Sequence, residues 1–365
     1  MRHFASVMLI KQTVRLLIFT SKAATGYKYL LGSGDLPMRL HKLTLQAFGP
    51  YLEKHTLDFT ASGNGTAQLI TGPGGTGKTT LFKAILYALF GLPGLNSFQD
   101  KHPAQIFPYH LRNIDAGLEA PTEITLDFKL NNKLYRVERI INPEDYGFYC
   151  TDQDHLATLE ILETDEYIAL GDTEVTANME ELLQTTKEVY PHLVAISPGT
   201  KDSFITLDPA LKRKWLKSLF KAGEIEVIWQ EILKNSNHYL QEIKDGSFFF
   251  EIPTNLKGAK TEDLFSPAIY NQETGASLTL QAFSAGWLAL LSISLQLGLL
   301  DTLQQYSHGA AASFLLLDKG FDQIDQQTTR QFLAGISKHN HYKRQLICTS
   351  TNPELKTLFP ATVDL

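Results

Sequence analysis

An α/β fold with mixed sheets and flanking helices is predicted for this chain. Strand-like segments alternate with helical ones and pass into them through glycine-containing loops. Residues 72–79 (GPGGTGKT) sit directly between a strand pattern and a helix pattern. Residues 314–318 (FLLLD) read as a buried strand that ends in a carboxylate. Bulk composition agrees. At 365 residues the chain has room for one large domain with insertions or two smaller ones, and 43% hydrophobic with 20% charged residues is globular. Disordered and collagen-like chains are thereby excluded. A net charge of −6 does not advertise a nucleic-acid binder, although a local basic face remains open. Cys150 and Cys348 have no CxxC partner. A disulfide framework and a four-cysteine zinc site are therefore excluded, and a reducing, cytoplasmic compartment fits.

Residues 1–37 carry Arg2, Lys11, Arg15, Lys22 and Lys28 against a single acid, Asp35. The apolar stretch 7–19 is broken by Lys11 and Arg15, too short and too charged to span a membrane. No uninterrupted apolar core precedes a small-residue cleavage site, which argues against a secretory signal. The segment reads as an extension ahead of a domain that starts at Met38, with a basic amphipathic targeting peptide as the alternative. From there, 39–46 places apolar Leu40, Leu43 and Leu45 among polar neighbours, a half-buried strand. Phe48-Gly49-Pro50-Tyr51 turns the chain and 55–59 returns it. Residues 68–70 form a short strand, and 79–90 show helical spacing through Leu81, Ile85 and Leu89. Residues 122–129 and 133–141 pair through Asn131-Asn132. Asp208 with Pro209 starts a helical region reaching about 243, interrupted near Gly223. Strands resume at Phe248, an apolar helix covers 288–300, and 312–318 and 345–349 are buried strands.

The loop chemistry follows from its residue types. Residues 72–79 satisfy GxxxxGK[ST] in the context the motif requires. Glycines let successive backbone N–H groups curl around phosphate oxygens, and the following helix adds its positive dipole end. Gly72, Gly74, Gly75, Thr76, Gly77, Lys78, Thr79 and Thr80 are the expected nucleotide-binding residues. Lys78 reaches the β and γ phosphates, and the Thr79 hydroxyl with Asp318 holds Mg²⁺ and its water shell. ATP with Mg²⁺ is the expected ligand, and Lys78 and Asp318 are the surviving catalytic candidates.

These residues resemble the SbcC family, the SMC-like ATPase subunit of the SbcCD double-strand-break nuclease. The resemblance begins at 38–51 (MRLHKLTLQAFGPY) and runs through 69–73 and the phosphate loop to Leu89-Phe90-Gly91. It continues in 121–123 and 134–137, then in 271–275, 291–304 and 315–325, covering most of 38–365 in order. It implies an ABC/SMC-type ATPase head. In that family two heads sandwich two ATP molecules, each held between one head's Walker loop and the other's signature loop. A long coiled coil with a zinc hook separates the two halves of each head. Here the halves, 38–232 and 248–365, meet across 233–247, with no heptad run. Coiled coil and hook are therefore expected to be absent or vestigial.

Four departures concern chemistry. Where the family carries an acid directly after the Walker B aspartate, this chain has Lys319, and a protonated lysine cannot accept a proton from water. The signature loop reads Phe283-Ser284-Ala285-Gly286-Trp287. Ser284, with Gly286 beside it, keeps a hydroxyl for a γ-phosphate of the opposing head. Ala285 adds a methyl where approach is close, and Trp287 adds bulk where a carboxylate stood. Pro198-Gly199-Thr200 occupies the Q-loop position without its glutamine, and Thr351 stands where a switch histidine is expected. Binding groups survive and water-positioning groups do not, so ATP binding with very slow hydrolysis is expected.

Three other signals have competing readings. Lys212, Arg213, Lys214, Lys217 and Lys221 with Trp215 suit either a DNA backbone or a solvated helix face with Trp215 and Leu219 packed inward. His339 and His341 have metal-like spacing without a third ligand, and a surface turn is preferred. The 288–300 helix is expected to be buried rather than membrane-spanning, being too short. The resemblance implies an SbcD-like nuclease partner, DNA and an ATP-dependent homodimer, with no membrane and no zinc hook. The rival expectation is a non-catalytic nucleotide-binding scaffold, regulator or remnant. A transporter-type ABC domain is disfavoured by the FGPY start and the split halves.

Overall fold

The computed structural model describes residues 38–60, 67–98, 121–141, 156–164, 166–197, 203–220, 224–243, 247–254, 260–306, 314–340 and 343–365. The expectations for 1–37, the Q-loop position 198–200, Lys221 and His341 lie outside these residues. All the elements below belong to the unit Leu36–Leu365.

Strand β1 (Arg39–Gln46) buries Leu40, Leu43 and Leu45. That spacing is not strictly alternate, and a bulge between Leu40 and Lys42 against β4 supplies the phase change. β2 (His55–Asp58) pairs with β1, and β3 (Ala67–Thr71) leads through the glycine loop into helix α1 (Lys78–Phe90). β4 (Thr122–Leu130) and β5 (Lys133–Ile141) form a hairpin whose turn residues Asn131 and Asn132 have φ of 50° and 65°, the left-handed pair that tight hairpins favour. β6 (Leu156–Ile161) and β7 (Glu166–Leu170) complete a six-stranded antiparallel sheet in the order β2-β1-β4-β5-β6-β7.

Helices α2 (Asp172–Leu183) and α3 (Tyr190–Val194) then bring the chain to β8 (Ala195–Ile196). Asp208 caps α4 (Pro209–Leu219), its Oδ1 accepting from the Ala210 and Leu211 amides at 2.9 and 3.1 Å. Helix α5 (Ile225–Leu240) carries the chain through residue 232 toward β9 (Phe248–Phe250). After α6 (Thr261–Phe265), β10 (Ile269–Asn271) and β11 (Ala276–Leu278) close a small three-stranded sheet with β9. Helix α7 (Ala285–Tyr306), β12 (Phe314–Leu317), α8 (Gln326–His339), β13 (Gln345–Ser350) and β14 (Ala361–Asp364) follow. Their strands join β3 and β8 in an all-parallel sheet, ordered β14-β3-β13-β12-β8.

Helix α1 packs against β4 and β5 of the antiparallel sheet and β13 of the parallel one. Every residue from Ala84 to Phe90 is buried, as an all-round apolar helix requires. Its C-terminus is held by Arg139, which is fully buried. The Arg139 guanidinium donates to the Ala88 and Leu89 carbonyls at 2.8 and 3.2 Å and pairs with Asp172. A cation there meets the negative end of the helix dipole. Gln345 of β13 ties the two large sheets together, donating to the Leu40 and Phe59 carbonyls and accepting from the Leu40 amide at 3.0 Å.

The sequence-read helix at 288–300 is in fact 22 residues long, 285–306. By length and composition it could cross a membrane, so shortness is no argument against that. Burial explains its apolarity instead, because Ala289 through Leu303 are all buried in the core. It packs along α5, where Gly298 permits close approach. A Cβ at Gly298 would lie 2.6 Å from the Ile232 carbonyl oxygen and collide with Ser236.

Candidate nucleotide site

The glycine loop is shaped by contacts made in sequence-distant elements. Gly75 and Gly77 have φ of 85° and 98°, conformations that favour glycine. A Cβ at Gly77 would also lie 2.6 Å from Pro50 and 2.8 Å from the Tyr51 ring. The 48–51 turn, closed by reciprocal Phe48 and Tyr51 backbone bonds of 2.9 and 3.0 Å, therefore buttresses the loop. Gly49, at φ 56°, abuts Thr80 in the same way. Around the Cβ positions of Gly74 and Gly75, by contrast, nothing among the described residues beyond the chain neighbours lies within 4 Å. One flank of the loop is packed and the other is open, as a backbone cradle needs.

Lys78 begins α1 and is buried. Its ammonium donates to the Gly72 and Pro73 carbonyls at 2.7 and 2.6 Å. Burial, reinforced by the charge of Lys319, holds its pKa below the ordinary lysine value, while Asp322 and Asp318 pull it back up. The Thr79 hydroxyl donates to Asp318 Oδ2 at 2.8 Å, which unites the two expected Mg²⁺ groups across 239 residues of sequence. Thr349 of β13 donates to Asp318 Oδ1 at 2.6 Å and accepts from the Lys319 amide at 2.9 Å. Lys319 itself has φ 54° and an exposed side chain.

The residues present fit ATP with Mg²⁺. Thr79 and Asp318 offer hard oxygen donors at one point beside a buried ammonium. Among the described residues no group of three His, Cys, Asp or Glu could cage a metal ion. Mg²⁺ does not require one, since it binds through one or two protein oxygens with phosphates and water.

Ser284 and Gly286 stand elsewhere, at the start of α7. The Ser284 carbonyl accepts the Leu288 amide at 2.9 Å, and its side chain is exposed. Close approach occurs at Gly286, where a Cβ would lie 2.5 Å from the Gln323 carbonyl oxygen. Ala285 is exposed in the single chain. Trp287 turns inward, its ring 4.7 Å from Phe248, which also meets Phe283 at 5.4 Å. On the basic helix α4, Trp215 and Leu219 pack inward as the solvated reading expects, but its charges divide between core and surface. Lys212 is buried and donates to the Ile205 and Phe265 carbonyls, Arg213 pairs with Glu226, and Trp215 packs on His192 at 4.7 Å. Lys214 and Lys217 are exposed. His339 bonds Glu242 at 3.1 Å. Sequence reading missed Thr349 as the second partner of Asp318, and missed Asp322 with its partners at 350–351. A run of hydroxyl residues at the carboxyl end of the strand beside β12 is the signal that marks them.

This parallel sheet, with a phosphate loop after β3 and a carboxylate after β12, defines a P-loop ATPase head of the ABC/SMC type. The chain belongs to the family described as an AAA domain, whose model matches residues 42–262, more than half its length. The SbcC component of the nuclease SbcCD from Treponema pallidum is 31% identical over 208 residues, which is 55% of this chain and 18% of that protein. That of Vibrio cholerae is 30% identical over 220 residues, 57% of this chain and 21% of that protein. The chain thus spans about a fifth of the length of these curated relatives. Among solved structures, an Smc head bound to the C-winged helix domain of ScpA aligns with a TM-score of 0.61 at 16% identity, covering 89% of this chain and 93% of that one. A Pyrococcus furiosus Smc head with an extended coiled coil gives 0.60 at 14% identity, covering 90% and 93%.

Proposed function

We propose that this chain is an SbcC-like, ATP–Mg²⁺-binding head associated with DNA double-strand-break processing in the cytoplasm, and that it hydrolyses ATP slowly. The observation that carries the reading is the Thr79–Asp318 bond of 2.8 Å next to the buried Lys78 ammonium. Main-chain amides of 74–79 hold the phosphates, Lys78 shifts from its own loop carbonyls to the β and γ oxygens, and Thr79 with Asp318 holds the metal. When bound, ATP–Mg²⁺ supplies the transferable phosphoryl group and its charge neutralisation. Ser284 and Gly286 serve a second copy of the head across an ATP-dependent homodimer. An SbcD-like nuclease and DNA are the partners this assignment brings with it. Slow turnover follows from Lys319, because a general base absent from the position beside Asp318, where the family carries it, costs up to about a hundred- to ten-thousand-fold in rate. A cation at that position also favours retention of bound ATP.

Titration calorimetry with ATP–Mg²⁺ tests this directly. Wild type is expected to bind and Lys78→Ala to bind at least about tenfold more weakly, because a charge-assisted contact is lost. Turnover at ordinary head-ATPase rates, abolished by Lys78→Ala, would contradict slow hydrolysis. A second reading, a non-catalytic nucleotide-binding scaffold or regulator without nuclease association, is favoured by the exposed Lys319 side chain where the family carries an acid. Co-purification of an SbcD-type phosphoesterase separates the two.

A further inference from the structure

The carboxylate lacking at residue 319 has a counterpart at Asp322, on the turn that leads from β12 to α8. Asp322 is half-buried and held by the end of β13. The Ser350 hydroxyl donates to its Oδ1, and the Thr351 amide and hydroxyl donate to its Oδ2 at 3.2 and 2.9 Å. Thr349, the preceding residue, orients Asp318 at 2.6 Å. Three consecutive hydroxyl residues therefore aim both carboxylates, and the charges of Asp322 and Asp318 both reach the Lys78 ammonium. A carboxylate has about four acceptor positions, so these three donors leave one open on Oδ1.

We propose that Asp322 is the water-orienting carboxylate of this head, with Thr351 as its positioning residue. The inference rests on the ATP site described above. In the step it serves, a water oxygen bonds to the γ-phosphorus while the bond from that phosphorus to the ADP oxygen breaks. The electron pair of the broken bond leaves with ADP, and the water proton passes through Asp322 to solvent. Thr351 then serves the carboxylate rather than the phosphate.

The test uses the full chain as wild type, Asp322→Asn, Lys78→Ala and Lys319→Glu/Asp322→Asn. Three quantities are read: affinity for ATP–Mg²⁺, affinity for ADP with aluminium fluoride as a transition-state mimic, and phosphate release. Asp322→Asn is expected to bind ATP within about twofold of wild type, yet to lose at least about tenfold in both mimic affinity and turnover. Lys319→Glu added to it restores both. Wild-type turnover and mimic affinity in Asp322→Asn overturn the proposal, as does wild-type turnover no higher than that of Lys78→Ala. Failure of wild type to bind ATP instead defeats the site itself, and with it this inference. Should Asp322→Asn not fold, Thr351→Val decides, because it keeps the carboxylate and removes one of its donors. Turnover there must fall about threefold or more, and unchanged turnover overturns the assignment.

Discussion

Single buried charges illustrate how this chain is stabilised residue by residue. Arg139 and Asp172 are buried and paired with each other, and the Arg139 guanidinium also donates to the Ala88 and Leu89 carbonyls and to the Thr176 hydroxyl. Breaking a buried ion pair by removing one member typically costs about 3–5 kcal/mol. Arg139→Met is therefore expected to lower the denaturation midpoint sharply, and chemical denaturation with unchanged slope would measure it. Lys212 gives a pH signature. Burial lowers its pKa from 10.5 to about 8. Between those values the unfolded chain holds the proton and the folded chain does not, so stability must rise with pH, by up to about 1.4 kcal/mol per unit. Below about pH 8 both states are protonated and the contribution is flat. Wild type should accordingly gain on Lys212→Met as pH is raised from 8 to 10, and a gap that stays constant over that range would refute the burial argument.

Helices and strands are held in register by a few tight crossings. Gly298 makes one of them between α5 and α7, where a Cβ would lie 2.6 Å from the Ile232 carbonyl oxygen, and Gly298→Ala forces the helices apart. Overpacking of this kind typically costs about 1–3 kcal/mol, measurable as a lowered thermal midpoint. The same crossing shows what the sequence could and could not disclose. β1, β3, α1, the β4–β5 hairpin and β12 were legible because alternation, turn asparagines or the loop motif mark them locally. The bounds of α7 were not, since Gly286 and Trp287 read as loop and the Asp301–Tyr306 end is polar. α8 was missed because its apolar face rests on little beyond Phe332, Leu333 and Ile336. β14 is a short edge strand made coherent by its parallel pairing with β3. In the site, the motif disclosed Lys78, Thr79 and Asp318. The bond from Thr351 to Asp322 spans 29 residues between two turns, and no local pattern encodes it.

For the whole molecule, the decisive behaviour is association. Residues 272–277, Ser284 and Ala285 are exposed, and the two-head assembly proposed above needs Ser284 to meet a second copy. Sizing by light scattering is expected to show a monomer without nucleotide and a dimer with ATP–Mg²⁺. Ser284→Arg should abolish the dimer while leaving ATP affinity per head within about twofold, since the residue lies outside its own head's loop. A nucleotide-independent elution volume in wild type would remove the two-head reading.

Helix α1 is gripped along its length by both large sheets and clamped at its far end by Arg139. A slide or tilt of α1 would break these contacts, so on the nucleotide-binding reading proposed above the helix is expected to stay in place. The recoil of binding must be taken up at the rim, in the short turns after β12 and β13 and at the threshold of α7. A rigid interior of this kind would confine nucleotide-dependent rearrangement to the surface turns.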